Sequence, residues 1–369
     1  MKAIQWIISA LVAVVIIAAA VGGGVYFTRL KSIHSIRKLT DYEDYNLYRM
    51  DIDYAYDLDR LIDRGITDNQ SMINAILAEA LPYLPIHMKA PNFGCSAFCT
   101  QGTDGHTLMG RNYDFKNDTS AMLVYCTPKD GYASVAFAAL DNINANTPDA
   151  SMAKKLATLT APFICLDGMN EKGVSIAVLT LDSDPTYQQT GKPMIATTLA
   201  IRLVLDRAAT TAEAVELLSK YDMFASSGRD YHFYITDASG DGRVLEYDCN
   251  DPARPLTATP SRSVTNFFVM YKDNVLPNQR NGVYGHGRER YDAIEEILDA
   301  NAGSIDREIA WQALQAASQA PNPQDGTSNT QLSILYDNTA LTAEAVIRRD
   351  WNTKTSYNLV SNVAVTDVG

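Results

Sequence analysis

Residues Ile4 to Phe27 carry no charge, and Ile7 to Val21 are almost wholly aliphatic, with Lys2 before them and Arg29 and Lys31 after. An apolar run of this length spans a bilayer, whereas a buried core helix normally keeps a polar stripe. The segment therefore reads as a membrane anchor, or as a secretory signal with Ala18, Ala19 and Ala20 as its small-residue cleavage site. Beyond it, residues 39 to 66 are crowded with Tyr and Asp, and their apolar positions follow mixed spacing, which predicts helical or irregular chain. Met72, Ile73, Ile76, Leu77 and Leu81 then recur at helical spacing. Thr67 and Asp68 stand where an N-cap belongs, and Pro82 and Pro85 end the pattern.

From Gly94 the pattern changes to short β-rich runs separated by Gly and Asp. Cys95 to Thr100, a turn at Thr103-Asp104-Gly105, and Thr107 to Gly110 predict a hairpin. Further strands are expected at Met122 to Thr127, Ser134 to Leu140, Val174 to Leu181, His232 to Thr236, Arg243 to Tyr247, Val264 to Met270 and Leu332 to Tyr336. Two helical pairs interrupt them: Ile195 to Ala208 with Thr211 to Lys220, and Glu289 to Ala300 with Asp306 to Ala317. Paired helices between blocks of antiparallel strands predict a layered α+β fold.

The chain has 369 residues, 46% of them hydrophobic, enough for a large core. Its 43 acidic and 31 basic residues leave a formal charge of −12 with no basic run, which argues against a nucleic-acid partner. Cys95, Cys99, Cys126, Cys165 and Cys249 make an odd number and form no metal-binding pair, and the five His residues have no ligand spacing. Neither metal nor cofactor is expected. Among the thiols, Cys95 stands out because Arg111 and Asp114 lie on the return strand of its hairpin. An Arg beside a thiol favours the thiolate, and an Asp there offers an acceptor to an amine.

The run Cys95-Ser96-Ala97-Phe98, then Asp104-Gly105, then Gly110-Arg111-Asn112-Tyr113-Asp114-Phe115, resembles the first hairpin of the cysteine-type N-terminal nucleophile (Ntn) hydrolases. Within them it is most similar to the choloylglycine hydrolase family of bile salt hydrolases and penicillin V acylases, with acid ceramidase-like relatives. Asp167-Gly168-Met169-Asn170-Glu171-Lys172-Gly173-Val174, Thr265-Asn266, Glu289-Arg290-Tyr291 and Thr330-Gln331-Leu332-Ser333 extend the resemblance in order. It implies a four-layer αββα sandwich, and a precursor cut between Gly94 and Cys95 so that Cys95 becomes an N-terminal nucleophile. It further implies that Arg111 sits beside the thiolate, that Asp114 accepts from the new α-amino group, that Asn266 donates its amide to the oxyanion, and that Arg290 supports the charge network. Thr180 occupies the position where bile salt hydrolases carry Asn and penicillin V acylases carry Tyr. Its backbone N–H remains available to the oxyanion, but the usual side-chain cue to substrate is missing.

The expected layout is an anchor or signal over 1–30, an upstream pro-segment or small subunit over 31–94, and a catalytic domain over 95–369. The 94-residue upstream stretch is more like that of the ceramidase relatives, which adds lipid amides to bile-salt-like and penicillin V-like substrates. The resulting expectation is a self-processing amidohydrolase that cleaves linear C–N bonds of a small N-acyl amide through a Cys95 thioester. The membrane is its other partner, and the body lies outside the cytoplasm, or is secreted if the N-terminal segment is removed. An unprocessed, membrane-anchored binding protein for acyl amphiphiles is the alternative on the same fold. A papain-like pairing of Cys95 with His232 is weaker, because His232 lies within a strand pattern.

Overall fold

The computed structural model describes residues 23–82, 94–115, 117–280, 282–323 and 329–368. Most of the expected membrane segment lies outside them. Among the described residues no helix is long and apolar enough to cross a membrane.

The first described element is helix α1 (residues 23–34). Strands β1 (Arg37–Lys38) and β2 (Leu47–Ile52) and helices α2 (Leu58–Ile62) and α3 (Asn69–Ala80) complete the upstream part. After it come β3 (Gly94–Gln101), β4 (Thr107–Asp114), β5 (Ala121–Cys126), β6 (Ser134–Ala139), α4 (Met152–Ala157), β7 (Asp167–Asn170) and β8 (Ser175–Leu181). Next are β9 (Met194–Ala196), α5 (Thr197–Arg207), α6 (Thr211–Leu218), β10 (Asp222–Phe224), β11 (Asp230–Thr236), β12 (Arg243–Tyr247), β13 (Leu256–Pro260) and β14 (Ser263–Val264). The chain ends with α7 (Arg288–Ala300), α8 (Arg307–Ala317), β15 (Thr330–Asp337), β16 (Thr342–Ile347), β17 (Thr353–Asn358) and β18 (Val363–Val368).

These strands build a nine-stranded sheet, ordered β1-β2-β5-β6-β7-β8-β11-β12-β13, a seven-stranded sheet, ordered β14-β3-β4-β15-β16-β17-β18, and a separate parallel pair of β9 and β10. Strands β3 and β8 touch across the gap between them. Helices α5 and α6 pack on β7, β8 and β11, while α7 and α8 pack on β14, β3, β4 and β15, so two helical layers enclose two sheets. The alternation of a strand sorts side chains between these layers. Cys95, Ala97, Cys99, Met109 and Tyr113 join the core between the sheets. Phe98 and Leu108 point the other way, to Ile294, Leu298, Trp311 and Leu314 of the helices.

Local signals place several boundaries. Asp68 caps α3, its carboxylate accepting from Ser71 N at 2.7 Å, while the Ser71 hydroxyl accepts from Asp68 N at 3.0 Å. Asp306 caps α8 with its carboxylate alone, accepting from Ile309 N. Gly105, at φ +80°, turns the chain between β3 and β4.

Two expectations need correction. Within the Tyr/Asp-rich stretch, Leu47–Ile52 is a strand running parallel to β5, with Leu47 opposite Ala121 and Ile52 opposite Cys126. Leu47, Met50 and Ile52 are buried, and Tyr48, Arg49 and Tyr54 are buried too, so both faces are covered and no simple alternation marks the strand. The strand expected over Val264 to Met270 stops at Val264. The Glu246 carboxylate takes the N–H groups of Val269 and Met270 at 2.6 and 3.0 Å, and these are donors that a ladder needs. The freed chain carries Asn266 away from the sheet.

Candidate active site

The hairpin of β3 and β4 sets Gly94 opposite Asp114, Cys95 opposite Tyr113 and Ala97 opposite Arg111. Cys95 and Arg111 therefore share the face between the sheets, whereas Asp114 belongs to the helical side. Arg111 spans the gap. Its Nε lies 2.6 Å from an Asp167 carboxylate oxygen on β7, Nη2 donates to Val178 O on β8 at 3.1 Å, and Nη1 donates to Asn112 O at 2.6 Å. The same guanidinium lies beside the Cys95 thiol, where its charge favours the thiolate. Tyr336 donates its hydroxyl to the other Asp167 oxygen at 2.5 Å, so that carboxylate is held on both sides.

Arg290, from the first turn of α7, reaches the backbone side of the nucleophile. Its Nη1 donates to Cys95 O at 2.8 Å and lies 3.2 Å from Asp114 Oδ2, and Nη2 donates to Asn266 Oδ1 at 2.7 Å. Thr330 Oγ1 donates to Asp114 Oδ1 at 2.6 Å and Gln319 Nε2 to Oδ2 at 2.7 Å. Asn266 Oδ1 also accepts from the Cys95 backbone N–H at 2.9 Å, and Nδ2 donates to Thr180 O at 2.9 Å. The second Nδ2 hydrogen remains for another acceptor. Thr180 Oγ1 is buried with no hydrogen-bond partner among the described residues. Gly285, at φ +101°, lets the backbone pass directly over the Asn266 carbonyl, and a Cβ there would collide with that oxygen.

Burial pushes the Cys95 thiol up to about 11, with Arg111 pulling it down and Asp114 raising it. In the uncleaved chain the thiol thus stays protonated near neutrality. Burial also raises Asp114, against the pull of Arg290, Thr330 and Gln319, and raises Asp167 against Arg111 and Tyr336. For Arg111 burial disfavours the charge, but Cys95 and Asp167 outweigh it and its pKa is raised.

All six expected site residues meet at this end of the hairpin: Cys95, Arg111, Asp114, Thr180, Asn266 and Arg290. Four partners were not expected: Asp167, Tyr336, Gln319 and Thr330. Asp167 and Thr330 lie inside quoted motifs, which was a usable signal; Gln319 and Tyr336 carry none. His232 bonds Glu246 Oε1 at 3.1 Å and Thr265 O at 3.0 Å, which occupies both ring nitrogens and leaves neither as a base for a papain-like pair. Among the described residues, no group of three or more His, Cys, Asp or Glu side chains is arranged to hold a metal ion.

A thiol beside an Arg on the first strand of a two-sheet sandwich, with a carboxylate opposite its own N–H end, defines the class: a cysteine-type Ntn-hydrolase architecture. Residues 95–251 match the family model of the linear amide C–N hydrolases, choloylglycine hydrolase family, and through that segment the chain is homologous to it. Two variants of the conjugated bile acid hydrolase from Clostridium perfringens superpose with TM-scores of 0.52 at 16% identity, covering 74% of this chain and 96% and 97% of theirs. Penicillin V acylase from Agrobacterium tumefaciens gives a TM-score of 0.50 at 17% identity, covering 71% of this chain and 85% of its own. At such identities these structures establish the fold.

Proposed function

We propose that this chain is a self-processing amidohydrolase that cleaves the linear C–N bond of an N-acyl amide through a thioester on Cys95. The observation that carries the reading is the convergence of four side chains on one residue: Arg111 beside the Cys95 thiol, Asn266 on its backbone N–H, and Arg290, itself held by Asp114, on its carbonyl. Scission of the Gly94–Cys95 bond converts that N–H into an α-amino group, whose pKa of about 8 suits a base near neutral pH. Asp114, opposite Gly94, orients the new amine, which stands ready to take the proton that burial keeps on the thiol.

In the acylation step the amine takes the thiol proton and sulfur bonds the amide carbon. The oxyanion then accepts from the second Asn266 Nδ2 hydrogen and from Thr180. Collapse breaks the C–N bond, and the leaving amine departs with the proton held by the α-ammonium. Water repeats the sequence on the thioester and releases the acid. The substrate range of this reading is bile-salt-, penicillin V- or lipid-amide-like, and the uncharged N-terminal segment anchors the enzyme with its body outside the cytoplasm.

The test is release of the free acid from a panel of N-acyl amides by the wild type and by Cys95→Ala. Turnover lost in Cys95→Ala supports the reading. Equal turnover in both removes the nucleophile assignment, and acyl-amide binding without product release by a full-length chain favours the binding-protein alternative.

A further inference from the structure

Asn266 sits on a stretch, Thr265 to Met270, that belongs to neither sheet, yet Asn266 has to hold its amide against three partners at once. Something must fix that stretch. Thr265 Oγ1 donates to Gly287 O at 2.9 Å, and His286 N donates to Asn266 O at 2.9 Å, which fastens one side to the start of α7. The other side rests on two buried side chains of the opposite sheet. On β11 and β12 Phe233 pairs with Leu245, so His232 and Glu246 follow one step outward as neighbours. Both are completely buried. His232 Nε2 lies 3.0 Å from Thr265 O, and Nδ1 lies 3.1 Å from Glu246 Oε1. Glu246 in turn accepts from Val269 N and Met270 N.

We propose that His232 and Glu246 act as one positioning unit for Asn266, gripping both ends of the Thr265–Met270 stretch so that its amide meets the oxyanion. The inference rests on the amidohydrolase reading above. Each His232 nitrogen faces an oxygen, and each Glu246 oxygen receives a backbone N–H, so every polar atom of the unit is engaged. A buried polar pair of this kind contributes little as general packing, since apolar residues of similar volume often stabilise as well or better. Its distinctive property is direction. It presents one donor to Thr265 O and two acceptors to Val269 and Met270, the groups that would otherwise pair in a ladder and draw Asn266 back into the sheet. Neither side chain touches the thiol, so both act through Asn266. Because a shift of about 1 Å in a reacting group can cost on the order of 100-fold in rate, loss of the grip should be read in turnover.

The experiment measures kcat and KM for nitroaniline release from decanoyl para-nitroanilide, with rates corrected for the fraction of chains that begin at Cys95. Wild type and Cys95→Ala come first. Absence of Cys95-dependent release would contradict the amidohydrolase reading, and with it the premise of the inference. Given that release, His232→Gln should lower kcat about 10- to 100-fold with KM little changed, because oxyanion contacts strengthen in the transition state. Glu246→Gln, which keeps the side-chain shape and one carbonyl acceptor, should show a smaller loss of the same kind, and it carries the test if His232→Gln fails to accumulate. In an Asn266→Ala background either substitution should add almost nothing, since residues acting through one group are not additive. Independent, multiplicative losses in the double variants, a loss confined to KM, or unchanged kcat would overturn the proposal and leave the pair a part of the core.

Discussion

The chain on either side of Gly94 is built into the sheets by different forces. Upstream, residues 47–81 attach through apolar burial: Leu47, Met50, Leu61 and Ile76 are sealed in the main core, and β2 completes its sheet beside β5. The polar contacts there support that seam. Tyr54 donates to Leu159 O at 2.6 Å and Tyr56 to Asp206 at 3.0 Å. Downstream, the hairpin that starts at Gly94 is held at its working end by charge, with Arg111 against Asp167 and Arg290 against Asp114, all buried. Adhesion by area tolerates small changes, while a buried charge network fails when one partner is lost. A cut between the two therefore leaves the upstream piece bound through its sheet and core contacts and changes only the chemistry at Cys95.

Substitutions can separate these two roles. The largest effect belongs to Cys95→Ala, which should reduce acid release by roughly 10⁴-fold or more and leave the chain uncut, read by product assay and intact mass. Arg111→Met strands the Asp167 carboxylate in the core, and breaking a buried pair in this way costs about 3–5 kcal/mol, measured as a lower unfolding midpoint in urea. On the other side of the cut, Leu47→Ala should cost about 2–5 kcal/mol and loosen the upstream piece, while surviving assembled enzyme keeps its kcat. Tyr56→Phe, which removes one hydrogen bond to a carboxylate, should cost about 1–3 kcal/mol and leave activity unchanged.

The seam also has a pH signature. Burial pushes the Cys126 thiol up to about 12 from its ordinary 9, and raises Tyr54 and Tyr56 well above theirs. The folded state thus keeps protons that the separated chain releases, so this part of the stability is present below pH 9 and declines as pH rises towards 12. Unfolding midpoints followed across that range should fall, and Cys126→Ala should flatten part of the slope.

Much of the site was legible because its residues sit in short, ordered motifs on the hairpin, the Thr265-Asn266 step and the first turn of α7. The helices were legible through caps such as Asp68 and Asp306. What stayed hidden depended on long-range register. Asp167 meets Arg111 only because β7 and β4 face one another from different sheets, and Gln319 reaches Asp114 across 205 positions of chain. Strand β2 was hidden because both of its faces are covered, which erases the alternation that marks a half-buried strand. The short β14 was overestimated for the opposite reason: Glu246 competes for the N–H groups that its apolar pattern promised to a ladder.

The central claim is that Cys95 works as the first residue of a chain, and N-terminal sequencing with intact mass of the purified protein tests it most directly. The account predicts a fragment that begins at Cys95, co-purifying with an upstream piece that ends at Gly94. A catalytically active protein in which the Gly94–Cys95 bond is whole would contradict it.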